Sequence, residues 1–300
     1  MPATDDNTPV LGRADASAFG TRNILLSGAN TRHHVASFAG PISIKAVRHG
    51  EVAWRAGGVR RLVRPDSLLL FPQDAEYSMT IDSEAPSRTL CPVFRHGLVE
   101  AALRDFRTSD EAQLDDPDDP SGPIDFAPRW ASRHSRLGAA LAVLSDALDA
   151  GVVETWMFEL LAARTAEALV GFHDERERLP AVRGSTRAEI HRRLLRARDA
   201  VESDLARGWS MTDMAREACM APFHFNRRFR EAFGETPRLW LAGRRLERAL
   251  ALLGASPISV TEACLSVGYV SLGSFSTAFR RRFGVSPSSA ATPASPAFAP

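Results

Sequence analysis

The sequence has few of the residues that mark redox, metal or membrane proteins. Its three cysteines, Cys91, Cys219 and Cys264, lie too far apart for the CxxC or Cys/His spacing of a zinc site. An odd number of cysteines without a pairing framework indicates a reducing compartment. No apolar run approaches the ~18 residues of a transmembrane helix, and the acidic first 20 residues do not have a signal-peptide pattern. We therefore expect a soluble, cytoplasmic protein with no metal or other cofactor.

Motifs for catalysis are also missing. The chain shows no Ser, His and Asp in the order of a hydrolase triad, no glycine-rich phosphate loop and no paired-carboxylate motif. Lysine is nearly absent, since Lys45 is the only one among 37 lysines and arginines. We attribute that bias to genomic base composition and give it no functional weight. The sequence predicts a protein that is not an enzyme.

What the chain does have is an uneven distribution of charge. Its net charge of +1 by itself indicates no partner. Residues 185–284, however, contain 17 arginines against 10 acidic residues, a net charge of +7, whereas residues 1–184 carry a net charge of −6. A basic module joined to an acidic one is typical of a DNA-binding half and a separate second half. The length of 300 residues is consistent with about two domains.

A duplicated motif occupies the basic half, from Ser210 to Pro287. Each copy has three phenylalanines four residues apart, then a glycine, then Thr-Pro or Ser-Pro. On a helix this spacing places the three rings on one buried face, with arginines on the outer side. The copies are Phe225-x3-Phe229-x3-Phe233-Gly234 before Thr236-Pro237, and Phe275-x3-Phe279-x3-Phe283-Gly284 before Ser286-Pro287.

Each copy is predicted to contain two short helices. Ser210 and Ser259 are suitable N-caps for helices over Met211–Ala218 and Val260–Val267, because a serine hydroxyl satisfies a free N–H of the first turn. The phenylalanine-bearing helix follows after a short turn. This is the helix-turn-helix plan, whose second helix enters the DNA major groove. A helix over Arg238–Leu253 is predicted to hold the two copies at a fixed separation.

With these motifs, Arg187 to Pro287 resembles the DNA-binding domain of the AraC/XylS transcription regulators, over about a third of the chain. In that family, two helix-turn-helix units joined by a long helix read successive major grooves on one face of DNA. The resemblance implies that seven residues of the two second helices face the bases. They are Phe223, Asn226 and Arg227 in the first unit, and Leu272, Gly273, Ser276 and Thr277 in the second.

Side-chain chemistry favours the first unit as the source of base specificity. Arg227 can bind guanine and Asn226 adenine through two hydrogen bonds each, and Phe223 can pack on a thymine methyl group. The second set is poor in base-reading groups, so we expect the second unit to bind mainly the DNA backbone. The arginines expected to contact the backbone are Arg228, Arg230, Arg280, Arg281 and Arg282.

Two cysteines depart from the family pattern. Cys219 occupies the position at which the family commonly has the turn glycine, so the first turn is expected to carry strain of up to ~1 kcal/mol. Cys264 stands where a small alanine is usual, which is a sterically mild change. Neither departure removes a residue of the predicted DNA-binding set.

The acidic half is predicted to be β-rich. Six short segments alternate or run apolar between glycine and proline breaks, over residues 42–47, 51–55, 60–64, 67–71, 77–81 and 88–94. Several strands at this spacing indicate a small barrel or sandwich. The stretch from Arg64 to Tyr77 resembles the cupin-like sensor domains that precede this DNA-binding domain in the family. The predicted fold class is α+β, with a cupin-like β-barrel and helical hairpin, then an all-α domain with two helix-turn-helix units.

Some cupins are metalloenzymes, which hold their metal with closely spaced histidines and a nearby glutamate. Here His33 and His34 are adjacent, so on a strand their side chains point to opposite faces. His49 and Glu51 lie on one side of a predicted turn, and His96 comes much later. We interpret these histidines as isolated polar residues without a metal.

Two amphipathic helices, over residues 134–150 and 153–173, are predicted to form a hairpin joined at Gly151. In the family such helices often form the dimer contact, and covering the barrel would explain them equally well. The long apolar stripe of the second helix, which includes Trp156 and Leu160, leads us to expect a homodimer.

The predicted domain boundaries follow from composition. Residues 21–173 form the sensor and dimerisation domain, residues 174–186 a charged linker, and residues 187–287 the DNA-binding domain. The first 20 residues and the Ser-, Ala- and Pro-rich tail at 288–300 are predicted to be disordered.

The sequence thus predicts a sequence-specific regulator that binds double-stranded promoter DNA, with RNA polymerase as a partner and a small-molecule effector bound by the N-terminal half. Three alternatives stay open at this point. The N-terminal half is a degenerate cupin without a ligand, or it is a cupin metalloenzyme fused to a DNA-binding domain. Alternatively, the protein is a partner-binding module with vestigial DNA contacts, which the seven excess positive charges oppose.

Overall fold

A computed structural model of the chain describes residues 10–11, 18–107, 126–180, 183–255 and 258–291. The chain divides into two compact units, Met1–His173 and Asp174–Pro300. Most of the two terminal segments predicted to be disordered lies outside the described residues. Among the described helices, none combines the length and apolarity needed to cross a membrane.

The first unit is built on one curled, eight-stranded sheet. Its strands are β1 (Val10–Leu11), β2 (Ile24–Gly40), β3 (Ser43–His49), β4 (Val52–Ala56), β5 (Val59–Val63), β6 (Ser67–Phe71), β7 (Ala75–Val93) and β8 (Arg129–Ser132). Neighbouring strands follow the order β1-β2-β7-β3-β6-β8, and β4 pairs with both β5 and β7. Because β7 pairs with β2 along one edge, and with β4 and then β3 along the other, the sheet curls into a half-barrel. The cupin-like architecture predicted for this half is confirmed.

Strand β7 corrects one sequence prediction. The sequence predicts separate strands over 77–81 and 88–94, broken at Pro86, but β7 runs through both. Its pairing with β2 passes directly from Ser87 to Asp82, so Pro86 lies in a bulge. Proline has no N–H to donate, and an unpaired bulge residue needs none. The proline therefore interrupts the hydrogen-bond ladder and not the strand.

The two faces of the half-barrel have separate apolar cores. Three helices cover one face: α1 (Leu98–Arg107), α2 (Arg136–Ala150) and α3 (Thr155–Glu177). On that side Leu141 and Phe158 are fully buried. The other face holds a second cluster that includes Trp54, Phe71 and Tyr77. The predicted helical hairpin is present, and most of its apolar residues pack on the sheet.

The second unit is all helical. Its helices are α4 (Gly184–Ser203), α5 (Met211–Glu217), α6 (Pro222–Phe233), α7 (Pro237–Ala255), α8 (Val260–Ser266), α9 (Leu272–Phe283) and α10 (Pro287–Ala291). Ser210 and Ser259 cap α5 and α8 as predicted, and Asp213 and Glu262 accept the serine N–H groups in return. The predicted linker, 174–186, includes the last turn of α3 and the start of α4.

Helix α7 belongs to two apolar clusters at once. Near its start, Trp240 packs with Phe229 in the core formed with α4, α5 and α6. Towards its end, Leu253 packs with Phe279 in the core formed with α8 and α9. The connecting helix predicted over Arg238–Leu253 is therefore shared by the two helix-turn-helix units.

Candidate nucleic-acid interface

The two phenylalanine-bearing helices, α6 and α9, present the same surface pattern 50 residues apart. Phe225, Phe229, Phe275 and Phe279 are each at most 1% exposed. The ring centroids of each pair lie 5.5 Å apart in α6 and 5.6 Å apart in α9. Positions 221–230 and 271–280 have an identical order of exposed, intermediate and buried residues. Burial of one side leaves the opposite side of each helix open to a ligand.

In the first unit, the residues predicted to face the bases lie together on this open side. Phe223, Asn226 and Arg227 line one shallow groove with Arg230 and Glu231. Phe223 is 81% exposed, so its ring has almost no packing partner within the chain. Nε of Arg227 lies 3.8 Å from Oε1 of Glu231, and the arginine side chain is 54% exposed. This loose contact leaves the guanidinium available for an external partner.

In the second unit, Leu272, Ser276 and Thr277 line an equivalent groove with Arg280 and Arg281. The fourth predicted residue of this set, the glycine at position 273, is exposed on the same helix outside the groove lining. The groove is lined by hydroxyl groups, apolar side chains and two guanidinium groups. The groove is therefore better suited to binding phosphates than to reading bases.

The predicted backbone-binding arginines fall into two groups. Arg230, Arg280 and Arg281 are exposed and form no ion pair with any other described residue. A guanidinium without an internal partner can bind a phosphate without first losing an ion pair. These three residues are the best placed of the predicted set.

The other two arginines are already engaged within the protein. The Arg228 side chain is 13% exposed, and its Nη1 lies 2.9 Å from Oε2 of Glu231. Its Nε donates to Nε2 of His224 at 3.0 Å. Nη2 of Arg282 lies 2.6 Å from Oε1 of Glu247 in α7. DNA contact by these two residues stays a prediction, and it requires them to share or exchange partners.

Sequence reasoning missed a chain of ion pairs that joins α4, α7 and α9. Arg244 donates to both carboxylate oxygens of Glu202, at 2.5 and 3.1 Å, and also pairs with Glu247. Glu247 accepts in turn from Arg282. Burial raises the pKa of Glu247, but Arg244 and Arg282 outweigh burial and hold that pKa below its usual range. Charge as well as apolar packing therefore joins α4 and the second helix-turn-helix unit to the connecting helix.

The turns of the two units differ in one residue. Cys219 and Gly268 hold equivalent positions, and both have positive φ, at 51° and 85°. Cys219 therefore adopts the strained backbone expected from its departure from glycine. A Cβ atom on Gly268 would lie 2.5 Å from the carbonyl oxygen of Ala206 and 2.8 Å from Nη2 of Arg245. The second turn is therefore restricted by packing as well as by backbone conformation.

Comparison with known families accounts for both halves of the chain. A model of the AraC-like ligand binding domain matches residues 30–160, and a model of a helix-turn-helix domain matches residues 214–292. The chain belongs to the AraC family. The AraC-type resemblance predicted from the duplicated motif is confirmed, and the family also accounts for the β-rich half.

Relatives in the AraC family are transcription regulators. The chain is 33% identical over 90 residues to the virulence regulon transcriptional activator VirF of Yersinia enterocolitica. This alignment covers 30% of this chain and 33% of VirF. It is 35% identical over 80 residues to the regulator ExsA of Pseudomonas aeruginosa, and this alignment covers 27% of this chain and 29% of ExsA. The chain thus aligns with about a third of each relative's length. A solved regulator from Chromobacterium violaceum is 25% identical, with 35% of this chain and 93% of that chain covered, at a TM-score of 0.33.

Proposed function

We propose that the chain is a cytoplasmic transcription regulator that binds double-stranded promoter DNA in a sequence-specific manner. Helices α6 and α9 enter successive major grooves, and α7 sets their separation. The observation that carries this proposal is the pair of matching, arginine-bearing faces on two helices packed against one connector. The relatives support it, because VirF and ExsA are transcription regulators.

The residues that line the two grooves suggest different roles in base reading and phosphate binding. Arg227, Asn226 and Phe223 read bases in the first groove, whereas Leu272, Gly273, Ser276 and Thr277 add little discrimination in the second. Arg230, Arg280 and Arg281 bind phosphates, and Arg228 and Arg282 join them only where their glutamate partners release them. RNA polymerase is the proposed partner at the promoter.

A gel-shift experiment tests the proposal on DNA selected from a random pool by the wild-type chain. We expect Arg227→Ala to lose about 1–3 kcal/mol of discrimination at one base pair. Arg281→Ala should weaken binding to all sequences alike and lower the salt slope by about one. Arg216→Ala is the control, since this arginine has a 68% exposed side chain in α5 and lies outside both grooves. If neither groove variant differs from the control at moderate salt, the proposed interface is wrong.

We further propose that the first unit binds a small-molecule effector and pairs two copies of the chain. The match to a ligand binding domain supports the effector. For pairing, Val143, Val152 and Trp156 near the α2–α3 hairpin are 42%, 55% and 46% exposed. Leu160 packs partly on the unit's own core, which leaves Trp156 as the exposed part of the predicted stripe.

Light scattering tests the pairing. The wild type should have the mass of a dimer at micromolar concentration, and Trp156→Glu should shift it towards the monomer because a buried, unpaired carboxylate opposes association. A wild-type monomer at that concentration would contradict a homodimer and leave DNA binding to be judged by the gel shift.

A further inference from the structure

The only lysine of the chain lies inside the half-barrel. Lys45 belongs to β3 and is 2% exposed. Its Nζ atom lies 4.2 Å from the ring centroid of Tyr77 and 5.6 Å from that of Phe71. The surrounding cluster on this face of the sheet is apolar. An ammonium group is costly to bury in such a place unless a charged partner accompanies it.

The hydrogen-bond donors at this position exceed the acceptors. Nζ donates to the hydroxyl oxygen of Tyr77 at 2.7 Å. No carboxylate of the described residues lies within ion-pair distance of Nζ. An ammonium carries three N–H groups, and a tyrosine hydroxyl that accepts one of them still has its own proton to donate. The ammonium N–H groups and the tyrosine O–H that remain without an acceptor suit a ligand group that is negatively charged and only accepts hydrogen bonds. A carboxylate is such a group.

An aromatic column connects this position with the surface of the unit. The ring centroid of Tyr77 lies 4.5 Å from that of Phe71 and 4.7 Å from that of Phe38. Phe19 follows at 6.0 Å from Phe38. Phe71 and Tyr77 are buried, whereas Phe38 and Phe19 are only partly buried. Apolar ring surface therefore leads from the exterior to the buried ammonium group.

We propose that the half-barrel binds an apolar monocarboxylic acid. Its carboxylate pairs with Lys45 and accepts from the hydroxyl of Tyr77, and its hydrocarbon body packs against Phe38 and Phe71 after the half-buried Phe38 ring moves aside. The single buried ammonium matches one negative charge, and the apolar cluster around it offers few partners for the hydroxyl groups of a sugar or for the second carboxylate of a diacid. This inference rests on the proposed effector role of the first unit and names the chemical class of that effector.

Calorimetry on the full chain tests the proposal with benzoate, phenylacetate and octanoate, each beside its neutral primary amide. At least one acid should bind, and its amide should bind far more weakly. Lys45→Met keeps the length of the side chain and removes the charge, so the Kd for the acid should rise about 10- to 100-fold. Tyr77→Phe keeps the ring and should cause a smaller loss of affinity. The difference between aromatic and aliphatic acids identifies the body of the ligand.

A second readout does not depend on any variant. Protein grown with lysine labelled by ¹⁵N at Nζ gives a single side-chain resonance, because the chain has one lysine. The acid should shift this resonance and the amide should not. The proposal is wrong if no acid at millimolar concentration moves the resonance, or if Lys45→Met binds as tightly as the wild type. Gel shifts without the acid report on the proposed DNA binding separately, so either idea can fail alone.

Discussion

Replacing Gly268 with alanine should be among the most damaging single-methyl changes in the DNA-binding unit. The positive φ of 85° alone costs an alanine about 1 kcal/mol. The new Cβ would also lie 2.5 Å from the backbone oxygen of Ala206 and 2.8 Å from the Arg245 guanidinium, so both must move. That guanidinium donates to the carbonyl oxygens of Leu205 and Arg207, at 2.9 and 2.7 Å. With about 1–3 kcal/mol for each of these two weakened bonds, the total reaches about 3–7 kcal/mol.

The matched control is Gly284→Ala. Gly284 has nearly the same φ, 76°, but a Cβ atom there meets nothing within 4 Å. The control should therefore cost only the conformational free energy, about 1 kcal/mol. Urea unfolding of the full chain, followed by helical ellipticity, measures both losses. Equal losses for the two variants would refute the argument that the second turn is locked against the loop at Ala206.

Three further predictions concern the same unit. Cys219→Gly should stabilise it by about 1 kcal/mol, because the left-handed φ of 51° no longer carries a side chain, and Cys219→Ala should give no gain; equal urea midpoints for the two variants would contradict this reasoning. Glu247→Gln should cost about 3 kcal/mol at neutral pH, since the Arg244 and Arg282 groups lose their buried counter-charge. Folding lowers the pKa of Glu247, so the extra stability of the wild type over Glu247→Gln is present above the unfolded-state pKa. That difference in stability disappears as the pH falls through the folded-state pKa. A difference in Tm between the two proteins that does not change with pH would contradict this reasoning. Ser259→Ala should cost about 1 kcal/mol by removing the cap of α8, and an unchanged Tm would show that the cap contributes nothing.

Local signals allowed the helical unit to be predicted closely. Ser210 and Ser259 mark helix starts because a cap is a short-range interaction between neighbouring residues. The phenylalanine spacing likewise fixes the buried side of α6 and α9, and hence the open side on which Phe223 and Arg227 lie. In each case the residues that decide the structure are close in sequence.

Other features were not predicted because they depend on residues that are far apart in sequence. The pair Arg244 and Glu247 has the spacing of an ordinary solvated ion pair on a helix, and only its contact with Glu202 in α4 makes it a buried network. Pro86 indicates a strand end until the partner strand shows that it lies in a bulge. The burial of Lys45 depends on β6 and β7 closing around β3, which no pattern within β3 reveals.

The ion-paired connector has a consequence for the shape of the operator. Helix α7 has 19 residues, a length of about 28 Å, whereas one turn of B-DNA rises about 34 Å. If α6 and α9 occupy successive grooves as proposed while both units pack on this shorter helix, we expect the duplex to curve towards the protein. Bending is easier at flexible pyrimidine–purine steps. The promoter should therefore favour such steps between the two contacted grooves, at base pairs that no side chain touches.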